Sequence, residues 1–318
     1  MSALVIRYCV MFDDRTEDIQ DKVRMAEFIF SLVSVKHYLL PFIECEFYIY
    51  CSRLNQDRVS FVMSYLDIKP VQFLVMDDEQ DIEFAGSIRY CTSVDRICIR
   101  RMLFDFRSLP QDRFRLLIGT DIYFFKIPDE IIYRNYGNDG KYDVPYLADT
   151  TTFRGELYRL RFWHGSLLPG LLGDFYLLPP RLQIDRSAII SALRIIDSWS
   201  PLKRYLPELP KALRNNAHSC EQQATSIVLG QWQGYALPPD RYMHYLPKPT
   251  MAVLHGKRPW VMPQKIPDAL LKDFESICKD FQYTHIIDQI DFAKRHEQKL
   301  HRKLKHFLWQ TTGYRGFI

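Results

Sequence analysis

Three short clusters in this 318-residue chain carry the residue types that hold phosphate, a metal ion or a reacting carbon. The first is Gly119-Thr120-Asp121, where a carboxylate follows the apolar run Leu116-Leu117-Ile118. The second is Glu221-Gln222-Gln223-Ala224, and the third is His255-Gly256-Lys257-Arg258-Pro259-Trp260. A departing diphosphate carries charge that has to be neutralised. A carboxylate-bound divalent cation does this, helped by a lysine or arginine and by backbone N–H groups at a glycine turn. A sugar transfer also needs a carboxylate or amide facing the anomeric carbon. The chemistry that uses all three clusters is transfer of a sugar from a nucleotide diphosphate. Each cluster alone has a plainer reading. Asp121 can cap a turn, His255 can end a strand, and Glu221-Gln222 can be a first helical turn, where acidic residues suit the dipole.

The elements that must position these residues follow from the hydrophobic pattern. Leu116, Leu117 and Ile118 read as a strand buried on both faces, the habit of a parallel sheet. Asp121 then sits where the strand leaves the core, the edge at which open α/β folds place ligand chemistry. Upstream, strand and helix signals alternate. Residues 3–12 give a first strand, Asp18–Leu39 a helix, Glu46–Tyr50 a strand, Asn55–Leu66 a helix and Val71–Val75 a strand. This spacing indicates right-handed βαβ units and a parallel sheet. A helix from Ser93 carries Val94, Cys98, Met102 and Phe106 as a core stripe, with Arg96, Arg100 and Arg101 off it. Residues 136–141 are turn chemistry, and Asp174–Leu178 read as another strand. Asp185 caps a helix. Ser219 opens a further one with Gln222 three residues on, and Gly230 closes it. Met251–Leu254 is a short strand ending at His255, and beyond Pro267 the chain reads as helix to its end.

Composition bounds the class. The chain is 47% hydrophobic and 14% aromatic, hence globular, and its net charge of +4 points to no partner by itself. Seven cysteines without a C-x-x-C offer neither a zinc site nor a disulfide framework, so a reducing, cytoplasmic compartment is expected. No signal peptide and no apolar run of about 18 residues is visible. A P-loop kinase is disfavoured because no G-x-x-x-x-G-K-[ST] occurs, and a Rossmann dehydrogenase because no G-x-G-x-x-G follows the first strand.

The order of these motifs resembles the GT-A-fold glycosyltransferases, in particular the retaining family that includes glycogenin and the lipooligosaccharide galactosyltransferases. In that family the central strand ends in L-D-x-D followed by hydrophobics and a proline, similar to Ile118-Gly119-Thr120-Asp121-Ile122 and Pro128. A later helix opens with D-Q-x-A-L-N, similar to Glu221-Gln222-Gln223-Ala224-Thr225-Ser226, and a Leu-Pro follows at Leu237-Pro238. The closing H-x-x-G-x-x-K-P-W is resembled by the shorter His255–Trp260. The resemblance covers about residues 1–262. It implies an α/β fold with a Rossmann-type, mostly parallel sheet flanked by helices and a helical C-terminal extension. The catalytic domain would span residues 1–262, with a nucleotide-sugar half over about 1–130 and an acceptor half over about 131–262, and the extension residues 263–318.

The same resemblance implies site roles. Asp121 and His255 would hold Mn²⁺ or Mg²⁺. Phe12, Asp13, Arg96, Arg100, Thr120, Asp121, Gly256, Lys257 and Arg258 would meet the nucleotide-sugar donor, probed first as a UDP-sugar. Gln222, or its rival Glu221, would act at the sugar with retention. The departures also matter. Gly119 stands where the family has the first aspartate of D-x-D, so either metal dependence falls or another carboxylate helps. Ser226 replaces the usual asparagine, and the shorter last motif leaves Arg258 as an alternative phosphate clamp to Lys257.

A separate signal lies at the C-terminus. Between Lys294 and Lys305 there are six basic residues against one acidic residue, and Phe307, Leu308, Trp309, Tyr314 and Phe317 follow. A basic helix beside aromatics suits the inner face of a membrane or a polyanion such as DNA. The acceptor is accordingly open between a glycan, a lipid-linked glycan and DNA. Two other readings stand beside transfer to a glycan: a DNA-modifying transferase or nucleic-acid-associated protein using the basic helix, and a catalytically inactive GT-A scaffold.

Overall fold

The computed structural model describes residues 3–10, 19–75, 101–102, 104–133, 144–148, 171–180, 182–185, 187–192, 224–230, 234–244, 250–256, 258–261 and 266–296. The N-terminal β-α-β-α-β run forms as the alternation predicts: β1 (Leu4–Val10), α1 (Ile19–Tyr38), β2 (Cys45–Cys51), α2 (Arg53–Tyr65) and β3 (Val71–Val75). The central strand β4 (Arg115–Ile118) is followed by β5 (Ile122–Phe124), the short helix α3 (Asp129–Ile132), β6 (Val144–Ala148) and β7 (Leu171–Leu178). Then come β8 (Gly234–Ala236), β9 (Tyr242–His244), β10 (Val253–His255), α4 (Asp268–Asp280) and α5 (Thr284–His296).

A seven-stranded sheet has the order β3-β2-β1-β4-β7-β6-β8, and a three-stranded sheet the order β5-β10-β9. The pairs β3–β2, β2–β1, β1–β4 and β6–β8 are parallel, while β7 is antiparallel to both β4 and β6. The central strand therefore has a parallel neighbour on one edge and an antiparallel one on the other. Its apolar run still follows from burial on both faces, since Leu116, Leu117 and Ile118 are all inaccessible to solvent.

One face of the large sheet packs on α1. Leu4, Ile6, Tyr8, Phe47, Ile49, Leu116, Ile118, Phe175 and Leu177 share a core with Phe28, Leu32 and Val35. The helices α4 and α5 join the same core through Leu270, Phe274, Ile277, Ile286 and Ile290. The opposite face of the sheet meets the segment Met102–Ser108, with Met102 and Phe106 of the expected stripe buried. Phe104–Ser108 is wound as a π-helix. Here a charge layer sits under the strands. Arg7 of β1 pairs with Asp105 at 2.6 Å, both fully buried. Burial pushes Asp105 up against the pull of Arg7, and it lowers Arg115 to about 10. Arg115 spends its donors on Gln111 at 2.7 Å and on the carbonyls of Pro179 and Leu182 at 3.0 Å. A buried guanidinium with three acceptors tolerates the loss of water, and it fastens the N-terminal end of β4 to the chain leaving β7.

The C-terminal helix is not continuous. The chain turns at Gln282, whose φ is 59°. Gln282 donates to the Lys279 carbonyl at 3.0 Å and Tyr283 to that of Cys278 at 2.8 Å, the paired bonds of a Schellman cap. The same device closes α2 at Asp67, φ 51°. Neither position is a glycine, which is why the sequence reads through the break. Of the basic stretch, Lys294 lies in α5 and pairs with Glu275, and the residues beyond His296 lie outside the described ones. Among the described residues, no helix is long and apolar enough to cross a membrane. Burial raises the thiol of Cys45 to about 12 and those of Cys9 and Cys51 to about 11, so these three resist ionisation.

Candidate active site

The site lies where the chain passes from the large sheet to the small one. β4 ends at Ile118, and Gly119-Thr120-Asp121 makes a tight turn closed by the Ile122 amide donating to the Gly119 carbonyl at 3.3 Å. β5 then enters the second sheet. Two buried serines of α1 fix its edge: Ser31 donates to the Ile122 carbonyl and the Phe124 amide donates to Ser34 at 3.0 Å. Tyr8 of β1 bonds Ser31 in turn at 2.8 Å. Asp121 thus leaves a turn whose two ends belong to two sheets, each clamped to α1.

His255 reaches the same place from the other strand. In the antiparallel β5–β10 pair, His255 is opposite Ile122, one residue from Asp121. The Gly256 amide donates to the Asp121 carbonyl at 3.0 Å, tying the two turns together. The His255 ring is buried, and its Nε2 stands 3.2 Å from Asp121 Oδ2. The two residues expected to hold a cation are therefore brought together.

A third group joins them. Asp174 of β7 places Oδ2 3.9 Å from His255 Nε2. Asp121, Asp174 and His255 can each offer one ligand atom, and these atoms all lie within 4.8 Å of one another. Two carboxylates with one imidazole are a donor set that fits a divalent cation such as Mn²⁺. Arg101 caps the group from the other side, with Nη1 3.3 Å from Asp174 Oδ1. Arg101 was legible as a basic residue off the helical stripe, but Asp174 was read only as the first residue of an apolar strand. The available signal was a lone carboxylate inside the run Leu171–Leu178.

The other expected donor residues divide. Thr120 is in the turn and partly exposed, and Gly256 is buried. Arg258 has left-handed backbone, φ 51°, a conformation costing an L-residue about 1–2 kcal/mol. Its amide donates to the buried Glu27 Oε1 at 3.1 Å, which holds this corner against α1. Trp260, the last residue of the third cluster, is a core anchor. It is fully buried, stacks on Phe274 with centroids 5.3 Å apart, and donates Nε1–H to Gln289 at 3.0 Å. Phe12, Asp13, Arg96, Arg100, Glu221, Gln222 and Lys257 lie outside the described residues. The helix over 224–229 that follows Gln222 in sequence is described, with Ala224, Val228 and Leu229 buried.

No protein-family model matches the chain, and no curated protein matches it by sequence. Solved structures do match. The bifunctional glycosyltransferase WbbM aligns with a TM-score of 0.50 at 11% identity, over 86% of this chain, which spans only 50% of the WbbM chain. Mouse xyloside xylosyltransferase 1 aligns at 0.48 and 10% identity, over 80% of this chain and 97% of that one. The galactosyltransferase LgtC, bound to donor and acceptor sugar analogues, aligns at 0.46 and 13% identity, over 79% and 86%. At such identities the likeness is one of architecture, and it rests on the WbbM alignment: the chain has a GT-A-type glycosyltransferase fold.

Proposed function

We propose that this chain is a glycosyltransferase that takes a sugar from a nucleotide-diphosphate sugar, in the first instance a UDP-sugar, and passes it to an acceptor with retention at the anomeric carbon. The observation that carries this reading is the pairing of Asp121 with His255, 3.2 Å apart at the carboxyl end of the central strand. Open α/β sheets bind their ligands at that edge. Residues 1–130 would form the nucleotide half and 131–262 the acceptor half, with 263–318 as the extension.

In this reading Asp121 and His255 hold Mn²⁺ or Mg²⁺. When bound, the cation offsets charge on the departing diphosphate. The protein's own contribution is positioning. The Gly256-to-Asp121 bond and the α1 serines keep the turn rigid, so the carboxylate and imidazole need not reorganise as charge develops. Arg258 and Lys257 supply cationic contacts to phosphate oxygens, and Phe12 and Asp13 the base-binding edge. Arg96 and Arg100 reach the donor, and Thr120 lines the turn beside it. The acceptor is a glycan, a lipid-linked glycan or DNA.

The test is a screen for nucleotide-diphosphate release over a panel of nucleotide sugars, with and without Mn²⁺. Release from one donor, lost in Asp121→Ala, supports the reading. No release from any donor would leave the chain a GT-A scaffold without activity.

A further inference from the structure

We infer that Asp174, from β7, is the carboxylate that completes the cation site, standing in the space a side chain at residue 119 would otherwise fill. This deepens the sugar-transfer reading and rests on it. The geometry starts from strand register. Ile118 is opposite Phe175 in the antiparallel β4–β7 ladder, and the Gly119 amide donates to the Asp174 carbonyl at 2.7 Å. Residues 119 and 174 are therefore directly opposed, and directly opposed side chains share a face.

A Cβ built on Gly119 would lie 2.8 Å from Asp174 Cβ, 3.2 Å from its Cγ and 3.1 Å from Asp121 Oδ1. Opposed Cβ atoms in antiparallel pairs keep about 4.5–5.5 Å. No side chain fits at 119 while Asp174 holds this position. The glycine is thus needed for space, and the carboxylate missing from the strand β4 motif is present on the neighbouring strand. Asp121, Asp174 and His255 converge as a three-residue set drawn from β7, β10 and the turn after β4.

Charge points the same way. Two carboxylates in one small group repel unless a cation lies between or beside them. Arg101 offsets one of them, through Asp174 Oδ1. A divalent ion on the Oδ2 side, which faces His255, offsets both. Asp174 is only 24% exposed, so this compensation is poorly screened by solvent.

The experiment measures Mn²⁺ binding to the full chain by the loss of the free-ion EPR signal, with circular dichroism to verify folding. We expect Asp174→Asn, which keeps the shape, to weaken Mn²⁺ binding at least about tenfold. Gly119→Asp alone should bind Mn²⁺ poorly, because its side chain meets Asp174. The double change Gly119→Asp with Asp174→Gly should regain most of the affinity by moving the carboxylate back to β4. Arg101→Gln should bind as well as the parent or better, since it frees Asp174. Parent-like binding by Asp174→Asn, with Asp121→Asn defective, would overturn the inference and leave sugar transfer standing. A loss in Arg101→Gln as large as in Asp174→Asn would also overturn it, assigning the effect to the ion pair. A parent chain that releases nucleotide diphosphate from a donor but binds no Mn²⁺ would overturn the inference alone, and one that does neither would overturn both.

Discussion

Gly256 donates its amide to the main-chain carbonyl of Asp121 at 3.0 Å, so the turn leaving β10 is fastened to the turn leaving β4. That bond joins the first and third sequence clusters through backbone alone. The main chain thus still holds the turn when the Asp121 carboxylate, 3.2 Å from His255 Nε2, is removed. Asp121→Ala should therefore abolish nucleotide-sugar turnover while moving the melting temperature by no more than a few degrees. Retained turnover would reduce Asp121 to a turn residue, and a collapse in melting temperature would show that the carboxylate holds the fold. Differential scanning fluorimetry beside an activity assay separates these outcomes.

Trp260 behaves oppositely. It sits among Phe30, Phe274 and Gln289, joining α1, α4 and α5 to the corner that carries Gly256 and Arg258. Trp260→Ala leaves a large cavity and an unpartnered amide and should cost about 3–5 kcal/mol. Trp260→Phe keeps an aromatic ring in the core and loses the Nε1–H bond and part of the indole's volume, so its cost should be distinctly smaller. Denaturant unfolding of the two variants tests this order, and equal losses would mean that a phenyl ring recovers none of the indole's contribution.

Much of this architecture is legible in the sequence because its forces are local. Val71–Val75 matches β3 to the residue, and α1 ends at Tyr38, one residue before its expected limit, since periodicity and turn residues set those bounds. His255 ending a strand was legible for the same reason. What could not be read was pairing at a distance. Nothing in the run Leu171–Leu178 says that it lies antiparallel to β4, so nothing said that Asp174 would stand opposite Gly119. Gly119 therefore read as a lost ligand. The break at Gln282 was hidden differently: a left-handed cap normally announces itself with glycine or asparagine, and here a glutamine takes the conformation.

The basic stretch needs a cut chosen from the structure. Lys294 pairs with Glu275, and the adjoining Ala293 of α5 is buried, so removal from Lys294 would damage the helix as well as the charge. Deleting only Glu297–Ile318 keeps every described residue of α5, Thr284–His296. This truncation should weaken binding to anionic vesicles or to DNA and leave donor hydrolysis unchanged. Vesicle flotation and DNA mobility shift, each over a range of salt, read the two surfaces separately. Unchanged binding to both would make the stretch an ordinary solvated face.

The remaining prediction is stereochemical. A transfer with inversion needs a carboxylate base placed to deprotonate the acceptor hydroxyl. A retaining transfer by the route proposed here needs instead a group under the anomeric carbon, opposite the leaving diphosphate, while the diphosphate itself takes the acceptor's proton on the same face. In this proposal Gln222 takes that role: its amide is a poor nucleophile, but its carbonyl oxygen can stabilise an oxocarbenium-like charge. Glu221 is the rival, since its longer arm could reach the sugar as base or nucleophile. Ala224, two residues on from Gln222 in sequence, is fully buried at the start of the described helix over 224–229. We expect an α-linked product from an α-linked donor, read by NMR of the anomeric proton; a β-linked product would sink the retaining assignment. Given retention, Gln222→Ala should lower kcat more than Glu221→Gln does, with little change in Mn²⁺ binding for either. The reverse order would transfer the role to Glu221, because the larger fall in kcat marks the residue whose interaction is made in the transition state.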